Sequence, residues 1–226
     1  MFRSMMFALV VATAAASWSG GHDTSFREAM LPVRLQDDGQ RVLLVSRYEV
    51  SIASWQQCHA QGACSHMPRG PDNAVQMPVT DINWFDIQEY LAWANAKSGG
   101  GLRLPTVKEW QDISRSVIQP PPPPEFTDPR LEWAANYGRE KSPSGPVRKS
   151  GSHSRSPDGI SDLDGNVWEW TSSCFRKGFD GADCPAYIAA GEHLAAMSVF
   201  VRDPALGGCA IGVPPAHIGF RLVADK

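Results

Sequence analysis

Residues 161–170 read Ser-Asp-Leu-Asp-Gly-Asn-Val-Trp-Glu-Trp, the stretch that most restricts how this chain can fold. Asp162, Asp164, Asn166 and Glu169 place four oxygen-bearing side chains within eight residues, and Gly165 lets the backbone turn between them. Two arrangements fit. In one, carboxylates and inward-pointing carbonyls surround Ca²⁺, which takes about six to eight oxygen ligands; the spacing is not that of an EF-hand loop. In the other, the Asx side chains satisfy the amides of a tight turn without any ion.

The rest of the chain agrees with a turn-dominated fold. Gly and Pro make 38 of 226 residues and there are eight Trp, so a few regular elements are pinned by large aromatic side chains. With 42% hydrophobic and 20% charged residues, the chain is neither disordered, collagen-like nor a coiled coil, and its length is enough for one sizeable core. A formal charge of −3 offers no basic footprint for nucleic acid. No repeat of 20–50 residues and no linker between two cores is visible.

At the amino terminus, Arg3 precedes the apolar run 5–11 and the small residues Ala12-Thr-Ala-Ala-Ala16. That order describes a secretory signal peptide over 1–16, cleaved after Ala16, and predicts a periplasmic protein with no membrane span. An oxidising compartment makes disulfides available to the five cysteines.

After a polar lead over 17–40, residues 41–50 (Arg-Val-Leu-Leu-Val-Ser-Arg-Tyr-Glu-Val) predict a strand or tight strand pair, followed by a short helix capped by Ser51 and carrying Trp55. Between 84 and 97, Trp84, Ile87, Tyr90, Leu91 and Ala94 recur at helical spacing, with Asp86, Gln88 and Glu89 on the other side; Asp81 or Asn83 caps the helix and Gly99-Gly-Gly101 ends it. Thr106 and Glu109 form a capping box that opens a second helix through Trp110 and Ile113, and Pro120–Pro124 act as a stiff surface connector. Residues 125–160 are loop-rich, with Trp133, Asn136 and Tyr137 as anchors. Cys58 and Cys64 enclose a short turn that a disulfide would close, two thiols without a second pair being a weak zinc signal. Cys174–Cys184 is the second pairing expected from its short separation, with Cys174–Cys209 as the alternative.

Five segments together resemble a known family. Glu49-Val-Ser-Ile, Val79-Thr-Asp-Ile-Asn-Trp-Phe-Asp86, Leu104-Pro-Thr-Val-Lys-Glu-Trp110, Asp164-Gly-Asn-Val-Trp-Glu-Trp170 and Ile218-Gly-Phe-Arg-Leu222 occur in the order and near the spacing of the formylglycine-generating enzyme, or sulfatase-modifying-factor, family. The resemblance implies an α+β fold related to C-type lectins: one loop-rich domain over 41–226 with a small twisted antiparallel sheet and two main helices. It also implies a structural Ca²⁺ held by Asp162, Gly165, Val167 and Glu169, and a second by Asn136 and Tyr137, whose other ligands would sit in an acidic-Gly-aromatic segment that 138–160 does not contain.

Catalysis in the family resembles copper-dependent oxidation of a substrate cysteine by two thiolates four residues apart, soft ligands that select Cu(I). Counting back without gaps from Gly219-Phe-Arg221 puts that pair on His193 and Ser198 and the family's downstream arginine on Arg202, while the Arg-Gly-Gly-Ser strand becomes Ile188-Ala-Ala-Gly-Glu192. A hydroxyl and one imidazole do not replace two thiolates, so no copper is expected. The resemblance then implies an exported, non-catalytic binding or regulatory module. Periplasmic members without the pair regulate type VI secretion through a membrane threonine kinase, which points to the periplasmic part of such a kinase as the protein partner. Trp168, His193, Ser198 and Arg202 are the candidate binding residues, although Trp168 also reads as core. The competing readings are a thiol- or copper-dependent oxidase using Cys209 or Cys184 with His193, and a Ca²⁺-dependent carbohydrate-binding module.

Overall fold

Strand β2 (Val42–Ser46) has Leu43 and Val45 fully buried and its other side chains half exposed, the period-two pattern of a strand packed on one face. It needs a partner on each edge and finds them at opposite ends of the chain. Strand β1 (Met30–Arg34) pairs with it antiparallel from Met30 opposite Ser46 to Arg34 opposite Val42, and β7 (Val223–Asp225) pairs on the other side, with Val45 opposite Val223. The computed structural model describes residues 25–36, 41–68, 74–118, 131, 146–176, 178–179, 183–204 and 215–226.

The segment 17–40 is therefore not only a polar lead. It carries a one-turn helix, α1 (Ser25–Glu28), and the edge strand β1, and it buries Met30, Val33 and Leu35. Pro32 hides the strand from a sequence reading, because proline removes a ladder donor; at a sheet edge that donor has no partner to lose.

A second sheet runs in the order β5 (Leu194–Ser198), β4 (Ala186–Ala190), β3 (Trp168–Cys174), β6 (Ile218–Gly219). The two hairpin pairings are antiparallel, but β3 and β6 are parallel, with Trp168 opposite Ile218 and Glu169 opposite Gly219. One small antiparallel sheet is thus replaced by two sheets, the second of them mixed, because the chain crosses over from β5 before it adds β6 beside β3.

Helices α2 (Ile52–Ala60), α3 (Trp84–Ser98) and α4 (Val107–Ser114) start where their caps predict. The Ser51 hydroxyl accepts from the Ser54 amide at 3.2 Å, and Asn83–Asp86 and Thr106–Glu109 form reciprocal capping boxes. Asn83, not Asp81, is the cap of α3, and Gly99 ends that helix at φ 82°, a left-handed conformation that suits glycine. Asp86 departs from its expected solvent-facing position. It is 3% exposed, because the capping box and Arg202 occupy its carboxylate.

The helices join the sheets through stacked aromatic side chains. Trp55, Tyr90 and Phe220 meet with centroids 5.4–6.3 Å apart, and Trp84 lies face to face on Tyr187 at 3.4 Å. Cys58–Cys64 closes the end of α2, and Cys174–Cys184 ties the end of β3 to the chain entering β4. Loops this short make each bridge worth about 2–3 kcal/mol in the chain-entropy model. Among the described residues no helix is long and apolar enough to cross a membrane. The expected signal peptide, the proline run 120–124, the anchors Trp133, Asn136 and Tyr137, and Cys209 lie outside the described residues.

Candidate functional site

Asp162 and Asn166 have φ 63° and 71°, left-handed conformations that Asx residues tolerate because their side chains bond locally. Those side chains hold the loop 148–154 against the turn. Asp162 accepts from the amides of His153 (2.8 Å) and Gly151, and Asp164 from that of Ser154 (3.2 Å). The Asn166 amide group accepts from Arg148 N and donates to Arg148 O. Gly165 is fixed by a close approach, since a Cβ there would stand 2.5 Å from the His153 ring.

Glu169 extends from β3 into the core, where it is 1% exposed. Its Oε2 accepts from Arg221 Nε (2.7 Å) and from the Trp110 indole (2.9 Å), and its Oε1 from Arg221 Nη2 (2.5 Å). Arg221 is fully buried, and its remaining hydrogens go to the carbonyls of Ser46, Arg47 and Ser161. Glu49 lies in the field of the same groups, and its two oxygens have no hydrogen-bond partner among the described residues. Burial pushes its carboxyl up to about 8; the Arg221 charge opposes that rise, and Glu169 and Asp162 add to it.

Three of the motif segments thus supply side chains to a single buried cluster, Trp110, Glu169 and Arg221, with a fourth, Glu49, beside it. A contact brings the remaining segment in as well: a Cβ on Gly219 would stand 2.9 Å from the Val79 carbonyl. The motifs hold the scaffold together. No signal in the sequence linked Glu49 to Arg221, because the chain brings Glu49 into the field of Arg221 only when folded.

The turn was also the expected Ca²⁺ site of Asp162, Gly165, Val167 and Glu169. Both carboxylates already accept hydrogen bonds through each oxygen, and the Gly165 carbonyl accepts from the Val167 amide at 3.0 Å. A cation bound through Glu169 would share that carboxylate with the buried Arg221 guanidinium. Among the described residues no group of three or more His, Cys, Asp or Glu side chains is arranged to hold a metal ion. The Asx side chains of the turn accept backbone amides. Calorimetric scans with EDTA and with millimolar Ca²⁺ test the expected site: a Ca²⁺-dependent rise in the thermal midpoint would establish it, and an unchanged midpoint would refute it.

The four candidate binding residues fall into two groups. Trp168 is 4% exposed, donates its indole N–H to the His193 carbonyl at 3.1 Å and meets the His193 ring edge-on at 5.3 Å. Its ring lies where a Cβ of Gly191 would be, 2.6 Å away, so the turn between β4 and β5 requires glycine. A recess of about 670 Å³ opens beside them, lined by Trp110, Asp112, Arg115, Ile118, His193 and Leu194. Ser198 is at the far end of β5. Five residues of extended chain put it about 16 Å from His193, so these two positions do not meet as the family's thiolates must. Arg202 makes a two-pronged ion pair with Asp86 at 2.7 and 2.8 Å.

Four of the five cysteines are paired in disulfides, which leaves only Cys209.

The family model described as sulfatase-modifying factor enzyme 1-like domain matches residues 28–226. A mouse protein described as inactive C-alpha-formylglycine-generating enzyme 2 is 32% identical over 125 residues, covering 48% of this chain and 37% of that protein. Mouse formylglycine-generating enzyme is 31% identical over 137 residues, covering 54% and 35%. The matches thus span little more than a third of the length of these relatives. Among solved structures, Treponema denticola variable protein 1 superposes with a TM-score of 0.53 at 15% identity, covering 87% of this chain and 95% of that one, a similarity of fold alone.

Proposed function

Because the chain belongs to the sulfatase-modifying factor enzyme 1-like domain family, we propose that it retains the family scaffold without the family's oxidation chemistry and acts as an exported binding or regulatory module. The cysteine count carries this reading. A two-thiolate copper centre needs two free cysteines, and with Cys58–Cys64 and Cys174–Cys184 formed the chain has only one left. Its similarity to a relative described as inactive supports the same reading. So does the cluster of Glu49, Trp110, Glu169 and Arg221: a chain that keeps those motifs keeps a fold, and the motifs alone imply no activity.

Binding would use the recess beside Trp168 and His193, whose volume and mixed lining fall within the range of ligand sites. The proposed partner is a protein of the same compartment, the periplasmic part of a membrane threonine kinase acting in type VI secretion. Cross-linking from His193→Cys should capture that partner, and a Leu194→Asp variant should lose it; unchanged capture by the Asp variant would move the binding face elsewhere. For the chemistry, the purified protein incubated with Cu(I), oxygen and a cysteine peptide should form no aldehyde above the level of a protein-free control. Turnover that disappears in Cys209→Ser would establish an enzyme instead.

A further inference from the structure

At the end of β5 opposite the Trp168–His193 recess lies a second one, of about 530 Å³. Its aromatic lining comes from Trp84 and Phe85 at the start of α3, Tyr187 of β4 and Phe200 just after β5. Phe200 is 73% exposed and Phe85 50%, with ring centroids 5.4 Å apart. Such rings normally pack inside, so leaving two of them in water at the mouth of a recess marks a surface that covers something. The walls are fixed from several sides. Trp84 is stacked on Tyr187, its amide donates to the Val199 carbonyl, the Arg202–Asp86 pair ties the chain after β5 to α3, and the Cys174–Cys184 bridge holds the opposite rim. A pre-organised site loses little on binding.

The charge of the recess narrows what it can take. Among the described residues that line it, Asp183 is the one carboxylate and none is Lys, Arg or His. The neighbouring Arg202 is neutralised by Asp86 and lies in the further negative field of Asp81 and Glu89. Phosphate, sulfate and carboxylate ligands are repelled. Inorganic cations gain too little from a single carboxylate to give up their water. An organic cation, a methylated ammonium or a guanidinium, gains from both features: its charge meets Asp183, and its apolar surface meets ring faces that attract cations. We propose that this recess is a binding site for an organic cation, independent of the recess beside His193 and of any metal.

The test uses the full chain and the intrinsic tryptophan fluorescence to which Trp84 contributes, backed by calorimetry. Choline chloride should bind saturably, whereas its neutral carbon isostere, neohexyl alcohol, should bind at least about tenfold more weakly. Phe200→Ala, at an exposed position that leaves the fold intact, should weaken choline by about tenfold, and Asp183→Asn by a few-fold. Competition by an arginine-containing tetrapeptide would support the proposal and place the cation on a peptide; choline binding without such competition would support it and place the cation on a free small molecule. Equal binding of choline and the alcohol, or no saturable response to choline, tetramethylammonium or the peptide, would overturn it. None of these outcomes depends on whether the chain has catalytic activity or a kinase partner.

Discussion

Arg221→Met should be the most damaging single substitution in this domain, lowering stability by about 3–5 kcal/mol in urea unfolding at pH 7, the range for removing one partner of a buried ion pair. The side chain is fully buried, so the loss is not softened by water. Without it Glu169 keeps, among the described residues, only the Trp110 indole as a donor, and the carbonyls of Ser46, Arg47 and Ser161 each lose a guanidinium hydrogen. For a domain with a total stability of about 5–15 kcal/mol, this is enough to leave it partly unfolded at 37 °C. A second substitution separates charge from shape. Adding Glu169→Gln to Arg221→Met removes the stranded carboxylate and should recover about 1–2 kcal/mol. If the double variant is no more stable than the single one, the damage comes from packing and not from an unpaired charge.

Glu49→Gln should have the opposite sign. Ordinarily an acid of this kind titrates near 4.5, but burial raises Glu49 to about 8 in the folded chain. Between those values the folded state holds a proton that the unfolded state releases. Stability therefore falls as pH rises from about 4.5 to about 8 and levels off above, with a slope of at most about 1.4 kcal/mol per pH unit. Glu109 acts at the other end. Burial opposes its ionisation, yet hydrogen bonds from Arg103 and the Thr106 amide, with the Arg103 and Arg41 charges, hold it down at about 2, so its contribution is lost as pH falls from 4.5 toward 2. Together they place the stability maximum in mildly acid solution. Replacing Glu49 by Gln removes the proton release, flattens the profile between pH 5 and 8, and should gain up to about 4 kcal/mol at pH 8. Urea midpoints measured at one-unit intervals decide the matter: a wild-type profile that is already flat, or a variant that keeps the slope, would show that Glu49 is ionised and satisfied in the folded state.

How far the sequence predicted this structure depends on the range of each interaction. Caps act within four residues, so Ser51, Asn83, Thr106 and Gly99 could be read directly and the helices they bound came out in place. The two short disulfides were legible for the same reason. The strand β1 was not, because Pro32 breaks the usual strand signature and its partner β2 supplies the pairing from outside the segment. Asp86 was misplaced because helical periodicity knows only the helix's own faces, whereas Arg202, 116 residues away, meets its carboxylate. His193 and Ser198 were counted along the chain as if they faced one site. A five-residue strand between them is sufficient to put them at opposite ends of a hairpin. The Glu169–Arg221 cluster joins residues 52 apart that no local rule connects, although its members stood in the motifs by which the family was recognised.

The pairing of β2 between β1 and β7 also sets a timetable. A chain that emerges amino terminus first brings out β1 and β2 early, but β7 at 223–225, the Arg103–Val223 bridge and the Arg221 guanidinium arrive some 180 residues after β2. Until then the first sheet has an open edge and the core carboxylates have no counter-charge, so contacts this distant in sequence delay closure. Shortening the chain by a few residues before Asp225 would strip β2 of one partner and leave that edge open for good.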